Sequence, residues 1–223
     1  MHARQIKVRD DREEYHIYYP VPCTQIPSML PEGLQTVSID VGIRNFAIRI
    51  EKRMPDGRVL PIYFNKLDFK DEAQTKTTKI SPEILNRITL FLSSLLHVFR
   101  TTSIIGIERQ LAVNYKATRV YQHVLTFFSL HIPYFSTPCI LLDIYSQLKS
   151  QMFPALKGMS GVQLKSQSVK EAMELVRQRG DQESLNVLSY HLGKTKTKAD
   201  DLADTILQME ALFRLWSRKN SAC

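Results

Sequence analysis

The first half of the chain alternates apolar and polar residues with a period of two, which is typical of β-strands. TVSIDVG is an apolar run that ends at Gly42. The turn MPDG then separates two further alternating segments. Two later apolar runs, SIIGIERQ and PCILLDIY, are short enough to be buried strands. The predicted strands cover residues 36–42, 45–53, 58–69, 103–110 and 138–145.

Helical periodicity dominates the remaining segments. Ser81 suits the N-cap and Pro82 the first position of an amphipathic helix that extends to about Arg100. Further helices are predicted over 114–132, 168–180, 181–193 and 199–218. A strand meander followed by alternating helices and strands predicts an α/β fold with a mixed sheet flanked by helices.

Residues 1–35 differ from the rest in composition. They begin with a polar stretch and then become rich in proline, which predicts an extension with at most one strand, in EYHIYYPV. Residues 36–219 are long enough for one domain with a sizeable core. No run of about 18 apolar residues is present, so we expect no membrane association. Three widely separated cysteines favour a reducing compartment over a disulfide framework or a zinc site.

The chain is basic, with a formal net charge of +8 and a pI near 9.4. Such a balance favours a polyanionic partner such as nucleic acid. Charge alone does not identify that partner, because many basic proteins bind no polyanion specifically. The net charge therefore supports a nucleic-acid partner only if a binding or catalytic site is also found.

Acidic residues occur at three places where the apolar pattern predicts burial. Asp40 lies within the first predicted strand, Glu108 ends the fourth, and KADDLADTILQ places Asp200, Asp201 and Asp204 at the start of the last helix. Each has an ordinary explanation: a turn at Gly42 for Asp40, pairing with a neighbouring arginine for Glu108, and an acid-rich first helical turn for the three aspartates.

The combination is rarer than any of its members. Helical geometry places Asp201 and Asp204 about 60° apart around the axis and one turn along it, so they can act together. Two acids on strands and a pair on a helix can converge on hard divalent cations, and two such ions can hold the attacking and leaving oxygens of a phosphodiester. In a basic protein this combination indicates a nuclease.

Three segments also carry a family resemblance. SIDVGIRNFA, IGIERQ and KADDLADTILQ resemble, in order and spacing, the signature segments of the RuvC-like Holliday junction resolvases of the RNase H-like superfamily. The resemblance is greatest to the branch of poxvirus and fungal mitochondrial resolvases. It implies an RNase H-like mixed five-stranded sheet flanked by helices over residues 36–219, outside the 1–35 extension.

The resemblance implies an Mg²⁺-dependent endodeoxyribonuclease with two ions per site, for which Mn²⁺ can substitute. Asp40, Glu108, Asp201 and Asp204 would be the catalytic metal ligands, with Asp200 auxiliary; the choice between Asp200 and Asp201 stays open. Lys198 would be a basic catalytic residue beside the ions, or else a solvated loop lysine. Paired symmetric nicks in four-way DNA, for recombination and repair, imply a homodimer.

Several basic and polar residues are candidate DNA contacts. The DNA-binding residues expected from position are Arg109, Gln110, Lys116, Arg119, Lys157, Lys165, Lys194 and Lys196. Lys149 and Lys170 belong to the same set of lysines, which a solvated surface would also explain. The residues Leu111, Ala112 and Val113 depart from the arginine-rich pattern of the branch at this point.

Two other functions fit the same fold. An RNase H-like nucleic-acid-binding scaffold would lack cleavage, and a related nuclease would cut another substrate such as an RNA–DNA hybrid. The acidic residues near the N-terminus are unlike a mitochondrial transit peptide, which favours a cytoplasmic, viral setting. Mitochondrial and nuclear locations stay open.

Overall fold

A six-stranded sheet forms the centre of the protein in a computed structural model that describes residues 15–19, 33–70, 80–110, 113–194 and 199–220. The strands are β1 (Tyr15–Tyr19), β2 (Leu34–Asp40), β3 (Phe46–Arg53), β4 (Val59–Leu67), β5 (Ile104–Glu108) and β6 (Ile140–Ile144). Their spatial order is β1-β6-β5-β2-β3-β4.

The sheet is mixed, as the sequence predicts. Strands β2, β3 and β4 form an antiparallel meander, whereas β5 and β6 run parallel to β2. These are the five predicted strands. β1 pairs antiparallel with β6 as a sixth strand at the edge, within the predicted EYHIYYPV segment. The boundary at residue 35 between extension and domain stays a prediction.

Seven helices lie among the described residues. They are α1 (Pro82–Ser94), α2 (Leu96–Phe99), α3 (Tyr115–His131), α4 (Gln147–Met152), α5 (Gly161–Gln178), α6 (Gln182–Lys194) and α7 (Asp200–Asn220). None of the helices in these residues is long and apolar enough to cross a bilayer.

The helices differ from the prediction in three places. The first predicted helix is interrupted at Leu95, which separates α1 from α2. Helix α5 begins at Gly161, seven residues before its predicted start, because its first two turns are mostly polar and exposed and so lack an apolar period. Helix α4 was not predicted, since six residues are too short to show helical periodicity.

The two faces of the sheet pack against different helices. Apolar residues of one face, such as Ile39 and Ile107, pack with α1 and α3. The other face packs with α4, α5 and α7, and there the alternation of β2 and β3 presents polar side chains. These buried polar residues are Thr36, Ser38, Arg49, Glu51 and Arg53. Helix α7 therefore lies over the polar face of β2 and β3.

A buried ion network fixes β3 to the helices over it. Glu51 accepts hydrogen bonds from Arg49 and from Arg53, and Arg49 also reaches Asp181 at 2.7 Å just before α6. The opposing charges of these arginines outweigh burial and lower the pKa of Glu51 to about 2. The network thus holds the helices that follow β6 in a defined position over the sheet.

Candidate active site

Three acids predicted from the sequence meet at one edge of the sheet. Asp40 ends β2 and Glu108 ends β5, and the parallel pairing places Ile39 opposite Ile107, so both strands end at the same level. Asp204 projects from the first turns of α7. One carboxylate oxygen from each of the three lies within 4.8 Å of the others. This clustering joins residues separated by up to 164 positions in the chain.

Gly106 leaves room near this edge for side chains of β6 and α7. It lies on β5, two residues before Glu108 and on the same face of the sheet. A Cβ atom at this position would lie 2.6 Å from Ile144 Cδ1 and 3.4 Å from Met209 Cε of α7. A larger residue would therefore first displace the Ile144 side chain of β6, and it would also touch the end of the Met209 side chain on α7.

The remaining two acids of the DDLAD segment point to different partners. Asp201 lies 3.4 Å from Lys66 of β4, and it lines the same cleft as Asp40. Asp200 pairs with Lys165 of α5. The geometry favours Asp201 over Asp200 as the residue that accompanies Asp204.

A lysine that the sequence did not assign to the site lies among the acids. Lys149 of α4 places Nζ 2.8 Å from Asp204 Oδ2 and 3.3 Å from Glu108 Oε2, and its side chain is only 9% exposed. Its sequence position suggested a surface phosphate contact instead. No local motif marks it, because α4 is too short to be recognised and both partners are distant in sequence.

The cluster changes the protonation behaviour of its members. Burial raises the pKa of Asp40 well above its usual range, and the nearby Glu108 and Asp204 raise it further. Burial likewise raises the pKa of Glu108, although Lys149 opposes this. For Lys149, burial acts to lower the pKa, but Asp204 and Glu108 outweigh it and keep the pKa above its usual value. The lysine is therefore charged at neutral pH.

Asp201 shows the same crowding of negative charge. Burial and the adjacent Asp200 raise the pKa of its carboxyl to about 6, against the opposing effect of Lys66. Asp40, Glu108, Asp201 and Asp204 carry four negative charges when ionised, and Lys66 and Lys149 supply only two positive ones. This surplus favours an additional cation.

The carboxylates fit a hard divalent cation. Such ions take oxygen ligands, and two oxygens about 2.1 Å from one Mg²⁺ lie at most about 4.2 Å apart. The observed spread of 4.8 Å needs only a small side-chain adjustment to reach that value. Asp40, Glu108 and Asp204 would hold such an ion, and the predicted role of Asp201 as a further ligand stays a prediction.

A cleft of about 390 Å³ opens beside Asp40 and Asp201. Its wall is the loop after β2, where a Cβ on Gly42 would lie 3.0 Å from the Asn45 carbonyl oxygen, so glycine permits the tight turn there. The opposite wall is the start of α3, which Asn114 caps by accepting a hydrogen bond from the Ala117 amide. The cleft gives a ligand direct access to Asp40 and Asp201, whereas Glu108 and Asp204 line a neighbouring cavity together with Lys149.

Two predicted DNA contacts, Gln110 and Lys116, line this cleft. Arg109 lies close by, but its Nε is 3.0 Å from Asp143 and its guanidinium stacks on the Tyr145 ring at 4.3 Å. Arg109 thus pairs with an acid of β6 and not with Glu108. Its side chain stays 37% exposed, which leaves part of it accessible to a ligand.

The other predicted contacts are more dispersed. Arg119 and Lys157 are exposed, and Lys165 is exposed on the α5 side of the cluster, where it pairs with Asp200. Lys196 and Lys198 lie outside the described residues, and the side chain of Lys194 does so too. The expected roles of these residues stay predictions.

Comparison with solved structures identifies the fold. No protein-family model matches the sequence, and no curated protein sequence matches it. The yeast mitochondrial Holliday junction resolvase Ydc2 superposes with a TM-score of 0.58 at 19% identity, over 84% of this chain and 80% of that protein. The fowlpox virus Holliday junction resolvase superposes with a TM-score of 0.51 at 14% identity, over 82% and 99%.

These similarities confirm the predicted fold class. The mixed five-stranded core with flanking helices is the RNase H-like fold found in resolvases, as the motif resemblance implied. At these identities the likeness concerns the fold, so the function must be argued from the residues of this chain.

Proposed function

We propose that the protein is a divalent-metal-dependent endonuclease that resolves four-way DNA junctions by paired symmetric nicks. The observation that supports this most is the convergence of Asp40, Glu108 and Asp204 from β2, β5 and α7. Buried carboxylates that repel one another destabilise a fold unless a cation binds them. The close grouping of one buried and two partly buried carboxylates, with Asp40 open to a cleft, therefore supports a functional role.

The proposed roles follow from position. Asp40, Glu108, Asp201 and Asp204 would hold two Mg²⁺ ions, for which Mn²⁺ can substitute. Bound there, the ions would activate water and stabilise the charge that develops on the phosphate oxygens. The water oxygen forms a bond to phosphorus and the bond to the 3′ oxygen breaks, which leaves a 5′-phosphate and a 3′-hydroxyl.

The remaining side chains would prepare the site for this step. Lys149 holds Glu108 and Asp204 at a fixed separation and lowers their mutual repulsion. The tight turn at Gly42 lets a DNA strand approach Asp40, and Lys116 at the start of α3 offers a positive charge to a neighbouring phosphate. Lys198 stays a proposed basic residue beside the ions.

The assembly and setting are further parts of the proposal. Two symmetric cuts need two sites, so we propose a homodimer, which sedimentation of the protein alone and with junction DNA tests. We also keep the cytoplasmic, viral setting and the 1–35 extension as predictions from the sequence.

Cleavage assays with three substrates test the function. A synthetic four-way junction, an RNA–DNA hybrid and a linear duplex are incubated with Mg²⁺, Mn²⁺ or EDTA. We expect symmetric nicks on the junction alone, and only with a metal. Cleavage of the hybrid would identify the related nuclease instead, and tight binding without cleavage would identify a scaffold.

Two amide substitutions test the site. D40N and E108Q should abolish cleavage but retain junction binding, because they remove metal ligands and leave the cleft in place. D68N, which changes an exposed carboxylate after β4, is the matched control and should cut normally. Cutting by either site variant at the wild-type rate would refute the assignment.

A further inference from the structure

A second cavity lies at the opposite end of α7 from the acids. Its volume is about 510 Å³, and residues of β3, the β3–β4 turn, α5 and α7 line it. Five of these are arginines: Arg53, Arg58, Arg179, Arg214 and Arg218. Glu210 is the single acid among its lining residues, all of which lie in the described part of the chain.

Helix α7 separates this cavity from the acidic cluster. Asp204 and Arg214 are ten positions apart, which corresponds to about 15 Å along a helix. None of the residues lining the cavity also lines the cleft beside Asp40. The cavity is therefore a site of its own.

Glu210 cannot neutralise the arginines around it. Arg53 and Arg179 both donate to its Oε2 atom, and Arg214 Nε donates to its Oε1 atom at 3.0 Å. One carboxylate thus serves three guanidinium groups. Glu51 gives no full compensation either, because it is shared between Arg53 and Arg49.

One nitrogen atom in each of two buried guanidinium groups lacks a hydrogen-bond acceptor. Arg53 Nη2 and Arg179 Nη1 have no partner among the described residues, although these side chains are only 8% and 11% exposed. The Phe213 ring covers the Arg53 guanidinium at 4.2 Å but offers nothing to its in-plane N–H groups. Burial and the nearby Arg53 lower the pKa of Arg179, which reflects the same surplus of positive charge.

We propose that this cavity binds a phosphate group. A phosphate carries more negative charge than a carboxylate and has enough oxygens to accept hydrogen bonds from several guanidinium groups at once, often in pairs. The exposed Arg218 is available to attract the anion, whereas the exposed Arg58 also pairs with Asp56 at 2.7 Å; Arg53 and Arg179 are the most buried of the five. The phosphate can come from a DNA backbone or from a small phosphorylated molecule.

Calorimetric titration with inorganic pyrophosphate tests this in the full-length protein, with EDTA present so that no metal competes. We expect saturable binding to the wild type and at least a tenfold weaker affinity in R214Q/R218Q, whose changes affect the less buried side of the cavity. R177Q is the matched control, since Arg177 is an exposed arginine of α5 that does not line the cavity, and it should bind like the wild type.

E210Q supplies a change in the opposite direction. Removing the one lining carboxylate should tighten pyrophosphate binding severalfold, if the variant is folded by circular dichroism. Equal affinity in wild type and R214Q/R218Q, or no binding to either, would overturn the proposal.

Competition then distinguishes the two sources of phosphate. If a 20-base-pair duplex displaces pyrophosphate from the wild type, the cavity binds the DNA backbone; if it does not, the cavity binds a small phosphorylated molecule. Both results support a phosphate site. Because no cleavage is measured, the outcome is independent of the proposed nuclease activity.

Discussion

Lys149 Nζ lies 2.8 Å from Asp204 Oδ2, which joins α4 to α7 inside the cluster of acids. The same ammonium group contacts Glu108 of β5. It therefore supplies positive charge where the sequence alone shows only carboxylates. The stability of the site therefore depends on whether Lys149 or another cation compensates the negative charges of Glu108 and Asp204.

Replacing Lys149 by methionine should destabilise the protein. The substitution leaves Glu108 and Asp204 without their cation, and breaking such a buried pair typically costs about 3–5 kcal/mol. Because the folded-state pKa of Lys149 is raised, its contribution is fully present at pH 7, below the usual lysine pKa, so the loss should be measured there. Urea unfolding in EDTA measures it.

Added Mg²⁺ should restore part of that stability in K149M, since the ion provides the missing charge. K157M, which changes an exposed lysine, should unfold like the wild type. An unchanged free energy of unfolding in K149M would show that the contact contributes nothing.

Asp201 should make the metal-free protein less stable as the pH rises. The pKa of this carboxyl increases from 3.8 in the unfolded chain to about 6 in the folded state, so between these values the folded state holds a proton that the unfolded chain has lost. Its contribution to the free energy of unfolding should fall by about 3 kcal/mol across this window and stay constant above it.

The D201N variant should lack this pH dependence. In EDTA it should be more stable than the wild type at pH 7, and the difference should vanish toward pH 4. Thermal unfolding at several pH values measures both, with D68N as a control that keeps the wild-type profile. A D201N protein that is less stable than the wild type at pH 7 would contradict the conclusion that burial and neighbouring carboxylates raise the pKa of Asp201.

Glu51 should stabilise the fold without taking part in the site chemistry. E51Q leaves Arg49 and Arg53 without their shared carboxylate, and the free energy of unfolding at pH 7 should fall by about 3–5 kcal/mol. The lowered pKa means that the wild-type stabilisation is present above pH 4.5 and is lost as the pH falls toward 2.

Denaturation at pH 7 and at pH 3 tests this, with E174Q as the control. Glu174 forms an exposed ion pair with Arg177, so its loss should cost less than about 1 kcal/mol. Equal losses in the free energy of unfolding of E51Q and E174Q would show that the buried Glu51 ion pairs stabilise the fold no more than an exposed pair does.

Lys116 should contribute one phosphate contact to DNA binding. K116Q should weaken junction affinity about equally for different sequences and make the slope of log affinity against log salt about 1 smaller. Fluorescence anisotropy at several salt concentrations measures both. R177Q on α5 serves as the control, and a K116Q slope equal to the wild type would remove Lys116 from the interface.

The sequence by itself determined the five core strands, the mixed sheet, most helices and three of the clustered acids. Period-two and helical patterns are local, so the apolar runs around Asp40 and Glu108 predicted strands directly. Asp204 was identifiable because it opens an amphipathic helix. These residues lie at element ends, and a mixed sheet brings the ends of its parallel strands to one edge.

Only the tertiary structure decided the charge balance. Lys149 reaches acids 41 and 55 positions away, Asp200 turns to Lys165 while Asp201 turns to Lys66, and arginines from four segments surround Glu210. Ion pairing depends on which helices pack together and at what angle, and that long-range information leaves no periodic trace in the chain. The sequence thus placed the acids, whereas packing selected their partners.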